Sequence, residues 1–394
     1  VQLNARRQPA DQRDEGRNHA IFPAAIHPAG NDQCDFHRER SVNMSADDGT
    51  VIRPCHESDV PGVIALFARV FGRTITTEHW RWKLRTSTPA ACNVWLAVAG
   101  DRPIFQYAGV AQRYQLGNKT ALGFVSVDTM TDPEFRRRGL LTRVATRAYE
   151  QWREAGAAFV IGLPNQQWGT RTAALGWQEL FPLQWLARPL RPEVYAARHA
   201  RLPFLRHVPG VAAAWNWFFD RRLRRDASVS IVEMQRAGEE FDQFWERLRA
   251  HYAFCAVRDR AWVNWRFLDS PSRRYRVLAA RRGPVLVGYA AYHEDQSEEH
   301  LSGRLAELVT LPGDSQARDA LLADIVGRER ARGAELIATL AVPGSECFAA
   351  LRRAGFFGGP EFSVQVVPLA CPVPLAELSD RQRWFMSGAD YDVI

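Results

Sequence analysis

From Val51 onward the apolar residues recur in two distinct periods, one of strands and one of helices. The stretch VIRP (51–54) reads as a short strand. Ser58 is the expected N-cap of a helix through DVPGVIALFARVFG (59–72), which Gly72 closes. A second helix is predicted at TEHWRWKLR (77–85), followed by strands at NVWLAVAG (93–100), IFQYAGVAQRYQL (104–116) and TALGFVSVDTM (120–130). A long amphipathic helix is predicted over Leu140–Glu154, then a buried strand at AAFVIGLPN (157–165) and a helix ending near Leu175. Strand material then reappears in LFPLQWLARPL (180–190).

The same grammar is then repeated. The segment from Trp82 to Gly100 resembles that from Trp265 to Gly283 in its Trp, Pro and closing Gly. QYAG is echoed by GYAA, GLPN by AVPG, and ALGW by RAGF, each at a nearly constant offset. Two copies of one fold are the economical account. They are expected at 51–190 and 238–370, joined by a connector at 191–237 and followed by a tail at 371–394. Residues 1–50 show no hydrophobic period and are rich in polar residues and proline. A disordered extension is expected there, with Met44 as the candidate true start.

Composition narrows the chemistry. A chain of 394 residues exceeds one hydrophobic core, which agrees with two copies. The six cysteines are scattered without zinc-ligand spacing, so they are read as reduced thiols of a cytoplasmic protein holding no metal. No apolar run is long enough to span a membrane. The net charge of +7 is carried by arginine far more than by lysine, which favours phosphate or carboxylate partners. DNA recognition is disfavoured, because neither a helix-turn-helix nor a zinc pattern accompanies the charge. Within the connector, RHARLPFLRHVPGVAAAWNWFFDRRLRR mixes arginine with Trp and Phe. Two readings stand for it: a helical connector packing its aromatics against the halves, or a peripheral contact of residues 195–225 with an anionic membrane at its inner face.

Candidate chemistry concentrates in TDPEFRRRGLL, just before the Leu140 helix. A helix start offers unpaired N–H groups and partial positive charge, and so attracts anions. In Arg136, Arg137, Arg138, Gly139, Leu140, Leu141 the glycine admits close backbone approach while the arginines add charge, so a pyrophosphate is the natural guest. Neither a P-loop nor a three-glycine dinucleotide fingerprint is present.

The order of elements around this loop, with the strand FVIGLPN and a helix ending LGW, resembles the GNAT acetyltransferase superfamily. The closer resemblance is to its two-domain members of enhanced-intracellular-survival type, and it covers about Val51 to Leu369. In the GNAT pattern of Arg or Gln, two residues, Gly, one residue, then Gly or Ala, the last small residue is here Leu141.

That resemblance implies an α+β fold with a mixed sheet, built as tandem GNAT units of which the second is degenerate. It implies acetyl-CoA as acyl donor, with its pyrophosphate on the N–H groups of Arg137 to Thr142 and its pantetheine beside Thr129, Met130 and Thr131. Asn165 and Gln166 would meet the other side of the cofactor. The tyrosine that often serves as the family's acid is absent, since Thr172 and Leu351 occupy its two positions. Candidate bases are Asp128 and His79. In the second copy TLPGDSQARDALL lacks the arginine and glycine loop, so one donor site per chain is expected. Asp390 and Asp392, after Trp384, are candidate contacts for an amine or sugar acceptor.

The implied activity is N-acyl transfer, most simply N-acetyl transfer, to a small-molecule or glycan amine such as an amino sugar of cell-surface glycan assembly. A Fem-like aminoacyl-tRNA-dependent transferase and a non-catalytic CoA-sensing or protein-binding module stand as alternatives.

Overall fold

The computed structural model describes residues 49–85, 93–164, 168, 171–199, 204, 210–223, 226–271, 273–296 and 301–391. The expectations for residues 1–48, Met44 included, lie outside these. The first half runs β1 (Thr50–Pro54), α1 (Val60–Phe71), α2 (Thr77–Arg85), β2 (Val94–Ala99), β3 (Arg102–Leu116), β4 (Lys119–Thr131), α3 (Leu140–Glu154), β5 (Phe159–Gly162), α4 (Arg171–Ala174) and β6 (Gln178–Pro189). Next come α5 (Pro192–His199) and α6 (Val211–Asp220). The second half runs β7 (Ser230–Met234), α7 (Glu239–Leu248), β8 (Phe254–Ala256), α8 (Arg260–Val263), β9 (Tyr275–Arg282), β10 (Val285–Gln296), β11 (Leu301–Thr310), α9 (Ser315–Ala331), β12 (Leu336–Ala341), α10 (Glu346–Arg353) and β13 (Phe357–Pro368), before α11 (Leu375–Leu378) in the tail.

Local signals explain most boundaries. Gly72 ends α1 in the left-handed conformation, φ +68°, as its sequence position suggests. The start of α1 differs from the expected Ser58 cap. A 3-10 turn, Glu57–Asp59, precedes it, and the Asp59 carboxylate accepts from His56 N–H at 2.8 Å and from Arg53 at 2.6 and 2.8 Å. Asp59 stands at the N-cap of α1, but its carboxylate is taken up by these upstream partners and caps no N–H of the helix.

The strands form one mixed sheet of thirteen, in the order β1-β2-β3-β4-β5-β13-β6-β12-β11-β10-β9-β7, with β8 paired to β3. The last strand of each half is exchanged. β6 pairs antiparallel with β12 of the second half, β13 pairs antiparallel with β5 of the first, and β6 and β13 lie side by side. Each half thereby covers an edge that the other would leave unpaired.

A contact between repeat-equivalent residues marks the local twofold relation. Trp82 and Trp265 stack with ring centroids 5.5 Å apart at 28°. The Trp82 indole donates to the Trp265 carbonyl at 2.9 Å, and the Trp265 indole to the Trp82 carbonyl at 3.4 Å. A residue meeting its own equivalent is the signature of an isologous interface.

The central core draws on both halves, with Val63, Phe67 and Leu96 joined by Phe241, Phe244 and Val277. Separate clusters lie under α9 and under α3. Two segments are more integrated than their sequence suggested. β7, inside the expected connector, pairs with β9 in the sheet. In the tail, Trp384 is buried against Phe181 and Phe254, and its indole donates to Leu378 O at 2.7 Å.

Candidate active site

The site begins with a kink in β4. The β3–β4 register shifts between Gln106 and Ala108, and Asp128 takes φ +45°, so an extra residue bulges out of the strand. Gln106 Nε2 holds the Asp128 carbonyl at 3.0 Å. β4 and β5 run parallel only through Gly123–Phe159, Phe124–Val160 and Val125–Ile161. Beyond these pairs β4 continues to Thr131, whereas β5 ends at Gly162. The strands thus part into a wedge, with the backbone of Ser126–Thr131 along one side and Thr129 and Thr131 partly exposed. Asn165 and Gln166, expected on the opposite side, lie outside the described residues.

The turn after β4 is pinned by Asp132, which is buried and caps the turn Pro133–Phe135 through Glu134 N–H at 3.2 Å. Burial alone would raise its carboxyl pKa. Hydrogen bonds from Arg102 (2.6 Å), the Glu134 N–H and Arg69 (3.0 Å) outweigh burial and hold it below the usual carboxylate range. Past this anchor the chain takes up left-handed backbone at Arg137 (φ +65°) and Gly139 (φ +68°). For a non-glycine residue such as Arg137 that conformation costs on the order of 1 kcal/mol.

Gly139 is the N-cap of α3, with no side-chain cap and no acidic residue in the first turn. The N–H groups of Leu140, Leu141 and Thr142 have no carbonyl four residues back inside the helix. A Cβ on Gly139 would meet nothing within 4 Å, so nothing crowds the loop at this position. Arg138 lies 4.7 Å over the Phe135 ring, and Arg136 and Arg137 are exposed with no ion pair among the described residues. This is a cationic, uncapped helix start beside a strand wedge.

The equivalent place in the second half is filled from within. Asp314 caps α9 through Ala317 N–H at 3.0 Å and is gripped by Arg282 at 2.6 and 2.8 Å. Glu346 accepts from Gly313 N–H at 3.0 Å and from Arg318 at 2.8 Å. The β11/β12 pairing stops at Leu305–Thr339, and the tail enters beyond it. Ser387 bridges to Ala341 and donates to Glu307 at 3.1 Å, while Asp390 pairs with the buried Arg258 at 2.6 Å. A cavity of about 310 Å³ remains there, lined by residues including Thr339, Cys347, Arg381 and Trp384.

The candidate bases occupy one neighbourhood. Asp128 is ion-paired with Lys83 at 2.7 Å, and Lys83 is 3% exposed. His79 is buried, one helical turn before Lys83 on the same face of α2, and its N–H is capped by Thr76 at 3.1 Å. Lys83 escaped the sequence reading. A signal was present, because Lys83 is one of two lysines in a chain of arginines and lies among the tryptophans of an amphipathic helix. Thr172 uses its backbone carbonyl to hold Trp177 N–H at 3.0 Å, and Leu351 is packed in the second-half core.

Asp390 does not match the expectation of a carboxylate presented to an acceptor. It is buried, with Arg258 and Ser387 N–H on one oxygen. The arginine draws it inward, since a buried guanidinium needs a carboxylate partner. Asp392 lies outside the described residues.

Residues 51–178 match the family model described as Acetyltransferase (GNAT) domain. Over these residues the chain is similar to a GNAT acetyltransferase domain. Its fold is similar to that of a GCN5-related N-acetyltransferase from Anabaena variabilis, with a TM-score of 0.58 and 11% identity over 80% of this chain and 72% of that one. A tandem GNAT protein from the clavulanic acid biosynthesis pathway gives a TM-score of 0.53 and 16% identity over 82% of this chain and all of that one. Eis1 from Mycobacterium abscessus gives 0.52 and 13%, over 81% and 73%. At such identities the likeness is one of fold. No curated protein sequence matches the chain. The residues matched by the GNAT acetyltransferase model contain both the wedge and the α3 start.

Proposed function

We propose that the first half is an acetyl-CoA-dependent N-acetyltransferase and that the second half is its non-binding partner. The observation carrying this reading is the uncapped start of α3 beside an open wedge, against the carboxylate-capped start of α9. The donor's pyrophosphate would rest on the N–H groups of Arg137 to Thr142 with Arg136, Arg137 and Arg138 around it, and its pantetheine would lie along Thr129, Met130 and Thr131. Acetyl-CoA supplies the activated thioester.

In the reaction the acceptor nitrogen forms a bond to the acyl carbon, the carbon–sulfur bond breaks, and CoA leaves as thiolate. Backbone N–H groups near the β4 bulge would polarise the thioester carbonyl, and holding both reactants together supplies much of the rate. The amine's proton would go to Asp128 or through His79. Asp128 would first have to loosen its pair with Lys83, so Lys83 belongs to the proposed site as its modulator. A thiolate whose conjugate acid titrates near 8.5 leaves without a dedicated acid near neutral pH. The acceptor is a small-molecule or glycan amine, in the finer reading an amino sugar of cell-surface glycan assembly, met in the cytoplasm at the inner membrane face.

Calorimetric titration of acetyl-CoA into the protein and into Gly139→Glu tests this reading. One site per chain is expected, lost in the variant, which sets a carboxylate in front of the α3 donors and a side chain on left-handed backbone. Unchanged affinity would remove the site. Binding without CoA release on any amine would favour the CoA-sensing alternative, and salt-sensitive tRNA binding without acetyl-CoA binding would favour the Fem-like one.

A further inference from the structure

We infer that the outer face of α6 docks the chain on an anionic phospholipid surface. The helix is fixed to the body through one side. Trp215 donates to Pro189 O at 2.9 Å and packs on Phe357, Asn216 donates to Leu190 O at 2.9 Å, and Phe219 is buried. The opposite side presents Ala213, Ala214, Trp217, Phe218, Arg221 and Arg222 to solvent. Trp217 is 63% exposed, a large apolar area for a side chain held on a rigid helix.

The charge on this face has no internal use. Arg221 lies 4.5 Å over the Trp217 ring and Arg222 4.1 Å over the Phe218 ring, and neither has a carboxylate partner among the described residues. Residues 191–225 hold eight arginines against Glu193 and Asp220, and Asp220 is already paired with Arg188 and Arg330. This short segment therefore carries six of the seven net positive charges of the chain. Clustered arginine beside exposed Trp and Phe suits the headgroup region, where phosphates meet the guanidinium forks and ring edges enter the acyl boundary. Single-stranded RNA is the less favoured partner, because a guanidinium already covers one face of each ring that a base would stack on.

Placement adds a consequence. β5 and β6 both run antiparallel to β13, so they point the same way. α6 is anchored at the end of β6, in the direction toward which the β4/β5 wedge opens but most of the length of β6 beyond it, since Gly162 and Glu179 both pair with Gln365. A chain docked through α6 turns that end toward the lipid. This deepens the proposed membrane location without depending on acyl transfer.

The test is co-sedimentation of the full chain with vesicles of phosphatidylcholine alone and of phosphatidylcholine mixed with phosphatidylglycerol. Sedimentation with the phosphatidylglycerol vesicles alone is expected, released by salt. Both Arg221→Glu with Arg222→Glu and Trp217→Ser with Phe218→Ser should weaken partition at least about tenfold, with acetyl-CoA titration unchanged. Absence of binding by the wild-type chain, binding indifferent to salt, or binding indifferent to both pairs of substitutions overturns the inference. So does an RNA gel shift, or a concentration-dependent dimer, that these substitutions abolish while no vesicle binding is seen. The wild-type salt and lipid dependence decides the matter even if a variant fails to fold.

Discussion

The helices α3 and α9 occupy equivalent places in the two halves and begin in opposite ways. α3 starts at a bare glycine behind three arginines, whereas α9 starts under Asp314, with Glu346 bonded to the loop just before it. The physics of a helix terminus is the same in both, an excess of N–H donors and partial positive charge. One terminus is left for a visitor and the other is satisfied by the chain itself. The two helix starts therefore differ by two carboxylates and a tail, while the strands around them are kept.

The exchange of β6 and β13 offers the most drastic way to break this comparison. Ending the chain at residue 190 removes β13, strips the outer edge of β5 and leaves β6 without a partner on either side. Such a fragment is expected to be insoluble or to lose all acetyl-CoA binding, measured by yield and calorimetry. A soluble, binding-competent fragment would show that the halves fold independently.

Buried charge gives a second test. Burial raises the Glu307 carboxyl to about 7, only partly offset by Arg258 and reinforced by Asp390. A raised acid favours the protonated folded state, so its contribution is intact below the unfolded value near 4.5 and is lost as pH rises through 7. His293, driven down to about 2 by burial and Arg273, works in the opposite sense below 6.5. The difference between Glu307→Gln and wild type therefore carries the signal. Melting curves should converge toward pH 5 and separate toward pH 8 in favour of the variant, by on the order of 1–3 kcal/mol. Parallel curves would mean that Glu307 stays charged throughout.

Opening the closed helix start sharpens the comparison further. Asp314→Asn with Glu346→Gln should cost about 1–2 kcal/mol of stability from lost capping. It should leave acetyl-CoA stoichiometry at one, because the tail still fills the second wedge. A second binding event in calorimetry would show that the carboxylates alone close it. The smallest effect is expected for Thr172→Ala, whose hydroxyl is not the acid in the proposed mechanism; turnover with any accepted amine should be unchanged, and a large fall would give Thr172 a chemical role.

Much of the architecture was legible because it is local. The strand and helix periods, the closing glycine at 72 and the Leu140–Glu154 helix follow from short-range preferences written in each segment. The repeat was legible as well, and the stacking of Trp82 on Trp265 gives it a physical meeting point. The exchange of β6 and β13 was not, because each would pair equally well with either wedge strand and only the three-dimensional connection decides. Asp390 was misread for a similar reason: its partner Arg258 lies 132 positions away in the chain. The Lys83–Asp128 pair spans 45 positions and was hidden in the same way, although an isolated lysine in an arginine chain hinted at it.

The exchanged strands also bear on the history of the molecule. A duplicated unit that merely sits beside its twin can be deleted once it stops binding. Here the second half supplies the strand that covers the open edge of β5 and receives one in return. A half bound in this way can change what it binds but cannot be removed without stripping its neighbour of a strand.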